Sequence, residues 1–233
     1  MKLLLSYLIF LFALVACAPA AGEATSSTLD AVTYKLPANL VAVPLVRQQQ
    51  DFSCGDVATL AVLRYWKHAE YKNVLETALY APLHTSRTDG TDPQPIADYL
   101  NGVDGVTAEY KTQDDGVDVR DLEEAIDRGE PAIVDIQAWQ DVRRVGDLKP
   151  WGDDWDDGHY VVLVGYDRER FYFMDPSTSG HYAFIPREEL AERWHDTVGT
   201  DDVHTQRMVI FVRSTTTPWI SSAPPPPRAS PIH

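Results

Sequence analysis

The chain has 233 residues, 44% hydrophobic and 24% charged, which suffices for one packed globular domain with appendages and is too apolar for a disordered protein. Its formal net charge of −15 argues against a nucleic-acid binder, because phosphate contacts need a cationic face and no Lys/Arg stripe supplies one. No cofactor is expected, and neutral or cationic partners suit the charge better than anionic ones.

The first stretch, MKLLLSYLIFLFALVACAPAAG, has Lys2, an apolar run from Leu3 to Ala16 and then small residues, the pattern of an export signal. The run is shorter than the roughly 20 residues a bilayer span needs, so a retained transmembrane helix is disfavoured. Leu14-Val15-Ala16-Cys17 resembles the bacterial lipobox, which would make Cys17 a lipid anchor; ordinary cleavage after Ala18-Pro19-Ala20 would instead discard it. Either way Cys54 has no intrachain disulfide partner, and an idle thiol in an oxidising compartment is a liability that favours a working role. The expected organisation is a signal peptide at 1–16, lipid-anchor cysteine and flexible tether at 17–32, a folded domain at 33–214 and a Pro-rich disordered tail at 215–233. That tail holds five of the sixteen prolines within 224–231.

Within the domain, helical periodicity begins at Cys54 and runs to Trp66, with Val57, Ala58, Leu60, Ala61 and Tyr65 on one face. Asp92–Leu100 and Val119–Arg128 read as further short helices, the second closed by Gly129. PAIVDIQAW, HYVVLVGYD, RFYFMD, HYAFIP and RMVIFVR then read as strands rich in β-branched and aromatic residues. Helices followed by an antiparallel sheet make an α+β domain.

A thiol at a helix N-terminus sits where unpaired N–H groups and the helix dipole favour thiolate, the reactive form. A base is then required. His159 opens one strand, Asp175 ends the next, and DRER supplies the turn between them, so a hairpin returns Asp175 toward His159. Asp175 would accept one ring N–H while the other nitrogen takes the cysteine proton. His181, in a second GHY, competes because it too lies one turn from Asp175; His159 is favoured because it precedes the more continuously apolar strand. For the oxyanion, Gln48, Gln49 and Gln50 are all chemically suitable, and strand alternation turns Gln49 away from the other two.

Gln48, Ser53-Cys54-Gly55 at a helix start, Gly158-His159-Tyr160 and Asp175-Pro176 together resemble the papain-like bacteriocin-processing peptidases, number thirty-nine among cysteine peptidase families, over residues 44 to about 212. The resemblance implies a papain-like fold with N-terminal helices packed on an antiparallel sheet. It also implies Cys54 as nucleophile, His159 as base, Asp175 as its orienting acid and Gln48, six residues before the cysteine, at the oxyanion. Familiar members sit on transporters and cut after double glycine. This chain has no transporter spans and no phosphate-binding glycine motif, and it carries Ser53 where aspartate is common. A stand-alone exported relative is therefore expected, and the double-glycine preference is not carried over.

The expected activity is hydrolysis of a peptide bond in an exported polypeptide or leader through an acyl-enzyme. The rivals are amidase or transpeptidase chemistry on the same scaffold and a non-catalytic peptide-binding lipoprotein. The expected partners are a polypeptide substrate and, through Cys17, a membrane; no partner secretion system can be named. Ala18 rather than aspartate after the anchor points to the periplasmic face of the outer membrane in a two-membrane bacterium. In GDLKPWGDDWDDGH, residues 146–159, the carboxylates before His159 lack a full calcium-loop pattern; they read as a solvated loop able to attract a cationic segment or raise the pKa of His159.

Overall fold

A computed structural model describes residues 34–140, 149–199, 203–226 and 228–233. The signal, Cys17 and the tether fall outside the described residues, as do residues 146–148 of the acidic loop.

The first helix, α1 (Cys54–Trp66), covers the stretch its periodicity predicts. It is nevertheless buried almost all round, with Asp56 and Thr59 enclosed along with Val57, Leu60, Ala61 and Leu63, so it is the central helix rather than a surface one. It is followed by the single turn α2 (His68–Tyr71), then α3 (Pro93–Asn101), β1 (Val106–Lys111), α4 (Val119–Asp127) and β2 (Ala132–Gln137). The helix α4 starts on a reciprocal Asp118/Asp121 capping box and is closed by Gly129 at φ +76°. Then come β3 (Gly158–Tyr166), β4 (Arg170–Met174), β5 (Tyr182–Pro186), α5 (Arg187–Arg193), the hairpin strands β6 (His195–Val198) and β7 (Val203–Gln206), β8 (Val209–Ser214) and β9 (Ala229–Pro231).

Among the described residues seven strands form one sheet in the order β1-β8-β2-β3-β4-β5-β9, antiparallel except for the final β5–β9 pair, while β6 and β7 form a separate ribbon. The α+β class holds. The central strands β2 and β3 are buried along nearly their whole length, which demands cover on both faces. Helix α1 packs on β3, and Gly55 makes that approach possible: a Cβ there would lie 3.2 Å from the Tyr160 ring and 3.1 Å from Thr91.

The β3–β4 hairpin turns through DRER, where Asp167 Oδ1 accepts the N–H groups of Glu169 and Arg170 at 2.8 Å. From the turn, Tyr166 pairs with Phe171 and Gly165 with Tyr172, but then Leu163 pairs with Phe173, so Val164 is an extra residue in a β-bulge. Continuing the bulged register sets Asp175 opposite Val161, on the face shared by His159. Without the extra residue Asp175 would oppose Val162 and point to the other face with Tyr160. The freed Val164 carbonyl accepts the Val41 N–H at 2.7 Å, and Pro37 packs where a side chain at Gly165 would stand.

The C-terminal segment corrects one expectation. The described residues of 215–233 do not run free of the fold: Trp219 stacks on His68 at 4.0 Å, Ala229–Pro231 add the parallel strand β9 to β5, and Ala229 and Ile232 are buried. Proline removes an N–H only where it stands, and the residues after the proline run still donate; Ala229 N–H reaches Tyr34 O at 3.2 Å. The added strand covers an otherwise open sheet edge, a long-range pairing that local composition cannot reveal. No helix among the described residues is long and apolar enough to cross a membrane.

Gly165→Ala tests the bulge. A Cβ at 165 would meet Pro37 Cγ at 2.7 Å, so urea unfolding should show a loss of about 1–3 kcal/mol. Gly152→Ala, where nothing lies within 4 Å, should stay within about 0.5 kcal/mol of the parent.

Candidate active site

Cys54 is the first residue of α1, half-buried and without a disulfide. The turn leading into it is held from below by Glu76, a buried carboxylate that accepts Ser53 Oγ at 3.1 Å, Tyr80 Oη at 2.7 Å and the Gln49 N–H at 3.1 Å. Ser53 Oγ also reaches Gln50 O at 2.9 Å. Glu76 escaped the sequence reading because the partners that tie it to the cysteine turn, Ser53 and Gln49, lie 23 and 27 residues away along the chain.

His159 and Asp175 are both buried, and Nε2 of the imidazole lies 2.8 Å from Asp175 Oδ1. That oxygen also accepts the Ser177 N–H at 2.7 Å. With Nε2 committed to the carboxylate, Nδ1 is the nitrogen left for Cys54, which neighbours the ring. Burial alone would pull the His159 pKa down. The charge of Asp175, its hydrogen bond and the adjacent Cys54 together outweigh burial and push it up to about 10. Asp175 and Cys54, rather than the described carboxylates of the acidic loop, are thus the causes of the raised value. In that loop Asp154 is buried and internally committed, taking Gln140 Nε2 and the Asp156 N–H, while its carbonyl faces His195 Nε2 at 2.6 Å. No group of carboxylates or histidines among the described residues is arranged to hold a metal ion.

His181 is turned elsewhere: its Nδ1 lies 2.9 Å from Tyr182 O and 3.4 Å from Ser230 Oγ, so it faces the C-terminal strand. The three glutamines separate. Gln48 is half-buried, its N–H bonded to Pro176 O at 2.9 Å and its Oε1 3.4 Å from Ser177 Oγ, which lies equally far from His159 Nε2. Its Nε2 donates to Gln50 O at 2.8 Å and stands 3.4 Å from Asp51 O. Gln49 is exposed, and Gln50, also exposed, lines a cleft that contains Cys54. The structure thus gathers Cys54, His159, Asp175 and Gln48 where the start of α1 meets the mouth of the β3–β4 hairpin.

The cleft has a volume of about 630 Å³. One wall is the segment 87–93, tied to α1 through Asp56: Thr85 Oγ1 donates to its carboxylate at 2.7 Å and Thr91 Oγ1 at 3.4 Å. Burial pushes the Asp56 pKa up to about 6 despite those hydrogen bonds. The β6 end also lines the cleft, with Asp196 and Thr197, as does Asp135 of β2.

A cysteine at a helix start beside a histidine–aspartate pair at the mouth of a hairpin is the arrangement of papain-like cysteine peptidases. The family follows from sequence: the model of the Peptidase_C39 like family matches residues 40–201, and the chain belongs to that family. A C39-like peptidase from Bacillus anthracis is similar in structure, with 17% identity, coverage of 79% of this chain and 100% of that one, and a TM-score of 0.54, a likeness of fold. Lower scores attach to the peptidase domain of the Streptococcus bifunctional ABC transporter ComA, at 18% identity, 74% and 99% coverage and 0.49. A double glycine motif protease from an AMS/PCAT transporter, solved with its leader peptide, gives 18% identity, 78% and 98% coverage and 0.48. No curated protein sequence matches the chain.

Because its folded value is raised above the unfolded one, His159 contributes stability that is complete below about pH 6.5 and lost as pH rises through about 10. Asp175→Asn leaves burial as the dominant influence and should reverse the shift. By NMR, His159 ring protons in the parent should not titrate between about pH 6 and 8, whereas in the variant they should titrate below about 6.5.

Proposed function

We propose that the protein is a cysteine peptidase that hydrolyses a peptide bond in an exported polypeptide, with Cys54 as nucleophile. The observation that carries this reading is His159 held by Asp175 through Nε2 at 2.8 Å with Cys54 as its other neighbour. An imidazolium beside the sulfur is the counter-ion a thiolate nucleophile requires. The thiolate attacks the carbonyl carbon, the carbonyl oxygen becomes an oxyanion, and His159 Nδ1–H passes its proton to the amine as the C–N bond breaks. Water then loses a proton to Nδ1 and attacks the thioester, releasing the acid and restoring the thiolate–imidazolium pair. Asp175 keeps the ring oriented and its charge offset throughout.

Gln48 is proposed as a side-chain donor to the oxyanion beside the backbone N–H groups that open α1. Its bond to Gln50 O and its attachment to Pro176 fix the amide next to the His159–Asp175 pair, and the 3.4 Å approach to Asp51 O leaves its second hydrogen recruitable. We further propose that the mature protein works at a membrane surface through a lipid on Cys17, a reading that rests on the Leu14-Val15-Ala16-Cys17 motif.

Iodoacetamide should alkylate Cys54 faster than a model thiol near about pH 6, and His159→Ala should abolish the advantage. Gln48→Ala should lower kcat by about 10²–10³ on a cleavable peptide while alkylation stays nearly unchanged, because alkylation builds no oxyanion. Loss on Gln50→Ala alone would reassign the donor to the glutamine that lines the cleft. For the anchor, Cys17→Ser should abolish membrane retention and the lipid mass on the N-terminal peptide; an unlipidated parent beginning at Ala21 would refute it.

A further inference from the structure

The cleft beside Cys54 is strongly acidic. Asp51, Asp89, Asp92 and Asp156 lie around it and Asp135 and Asp196 deeper; among its described lining residues Arg87 is the one cation, and Lys149 pairs with Asp156 at its margin. Surface carboxylates alone would describe a solvated face; Asp135 is different. It interrupts the apolar strand β2 between Val134 and Ile136, is only 2% exposed, lines the cleft, and its Oδ1 has no hydrogen-bond partner among the described residues. An acceptor buried without a donor is costly to a fold, so one that opens on a cleft marks a place for a donor brought from outside.

Asp196 neighbours Asp135, and burial together with the repulsion between the two carboxyl groups drives the Asp135 pKa upward. One oxygen of Asp196 is already positioned by Gln137 Nε2 at 3.0 Å, and Gln137 is itself fully buried and accepts the Asp157 N–H at 2.9 Å. Asp135 is thus built into the sheet, and Asp196 is brought beside it by the β6–β7 ribbon. The pair adjoins the proposed nucleophile and offers the cleft an oxygen that no described residue answers.

We infer that this recess is a specificity subsite for a basic side chain, an arginine or lysine of the substrate polypeptide whose cationic head is received by Asp135 and Asp196 within a residue or two of the scissile bond. The inference rests on the proposed peptidase reading for its biological meaning, yet binding to the recess does not require Cys54. A guanidinium supplies several donors in one plane and suits two adjacent carboxyl groups; an ammonium supplies the same charge with less directional match. The acidic rim would raise the local concentration of such segments and speed their encounter. The preference differs in kind from that of a double-glycine site, which must be narrow and needs no charge.

Two measurements separate this inference from the peptidase reading. The parent protein is offered alanine-flanked peptides whose central residue is arginine, lysine, glutamine or citrulline, the last a neutral near-isostere of arginine. Cleavage of the arginine peptide should exceed that of the citrulline peptide by at least about tenfold in kcat/KM, and Asp135→Asn and Asp196→Asn should each shrink that ratio toward one. In parallel, calorimetry on the full chain carrying Cys54→Ala should show the arginine peptide binding at least about tenfold more tightly than its citrulline analogue. Equal cleavage of both peptides, or equal binding to the Cys54→Ala protein, overturns the subsite and leaves the peptidase standing. Selective binding by Cys54→Ala together with no cleavage by the parent supports the subsite and refutes the peptidase reading.

Discussion

The site depends on one extra residue in a hairpin. The Val164 bulge shifts β4 by a single position against β3, and that shift brings Asp175 to the face of His159. A one-residue error in an antiparallel ladder does not weaken such a contact gradually; it sends the side chain to the opposite face. The bulge is in turn held from outside the hairpin, by Val41 N–H on the carbonyl it frees and by Pro37 against Gly165. The N-terminal segment before α1 therefore does more than lead into the helix: it secures the register on which the orientation of His159 rests, and through Gln48 it bonds to the loop just beyond Asp175.

Around the imidazole the fold concentrates buried charge, and the signs oppose. Asp175 and Cys54 lift the His159 pKa against burial, while Asp135 and Asp56 are lifted chiefly by burial itself. Each carboxyl group has a different local remedy. Asp175 faces the His159 ring, Asp56 accepts two threonine hydroxyls, Glu76 accepts a serine, a tyrosine and a backbone amide, and Asp135 is set beside Asp196. Among the described residues Asp175 and Asp135 each keep one oxygen without a hydrogen-bond partner, and of the two only Asp135 lines the cleft. Buried polar groups that are satisfied hold the walls of the site in place, and Asp135 is where the proposed basic side chain would gain by entering.

Membership in the C39-like peptidase family accounts for the scaffold, and the shared fold at 17% identity shows how little of the sequence that scaffold requires. Fold alone does not decide substrate preference, and the cleft beside Cys54 is lined here by the 87–93 segment and by β6.

The sequence by itself determined the parts governed by local rules. The periodicity of Cys54–Trp66, the cap chemistry around Val119–Asp127 and the alternating turn and β-branched runs of the later strands were legible because each depends on neighbours a few residues away. So was the candidacy of Cys54, His159 and Asp175, since a helix-start thiol and a hairpin are local features. Tertiary structure alone decided which histidine meets Asp175, because that turns on a bulge stabilised by residues more than 120 positions earlier. It also decided that β1, α5 and the β6–β7 ribbon form, being too short or too mixed in composition to announce themselves, and that the residues after the proline run pair with β5. The acidic recess belongs to the same class. Asp135 was visible as a lone acid in an apolar strand, but its partner Asp196 lies 61 residues on, in a ribbon whose place beside the cleft is a matter of packing. Local sequence specifies elements through short-range sterics and hydrogen bonding, whereas the meeting of distant side chains is specified only when those elements pack.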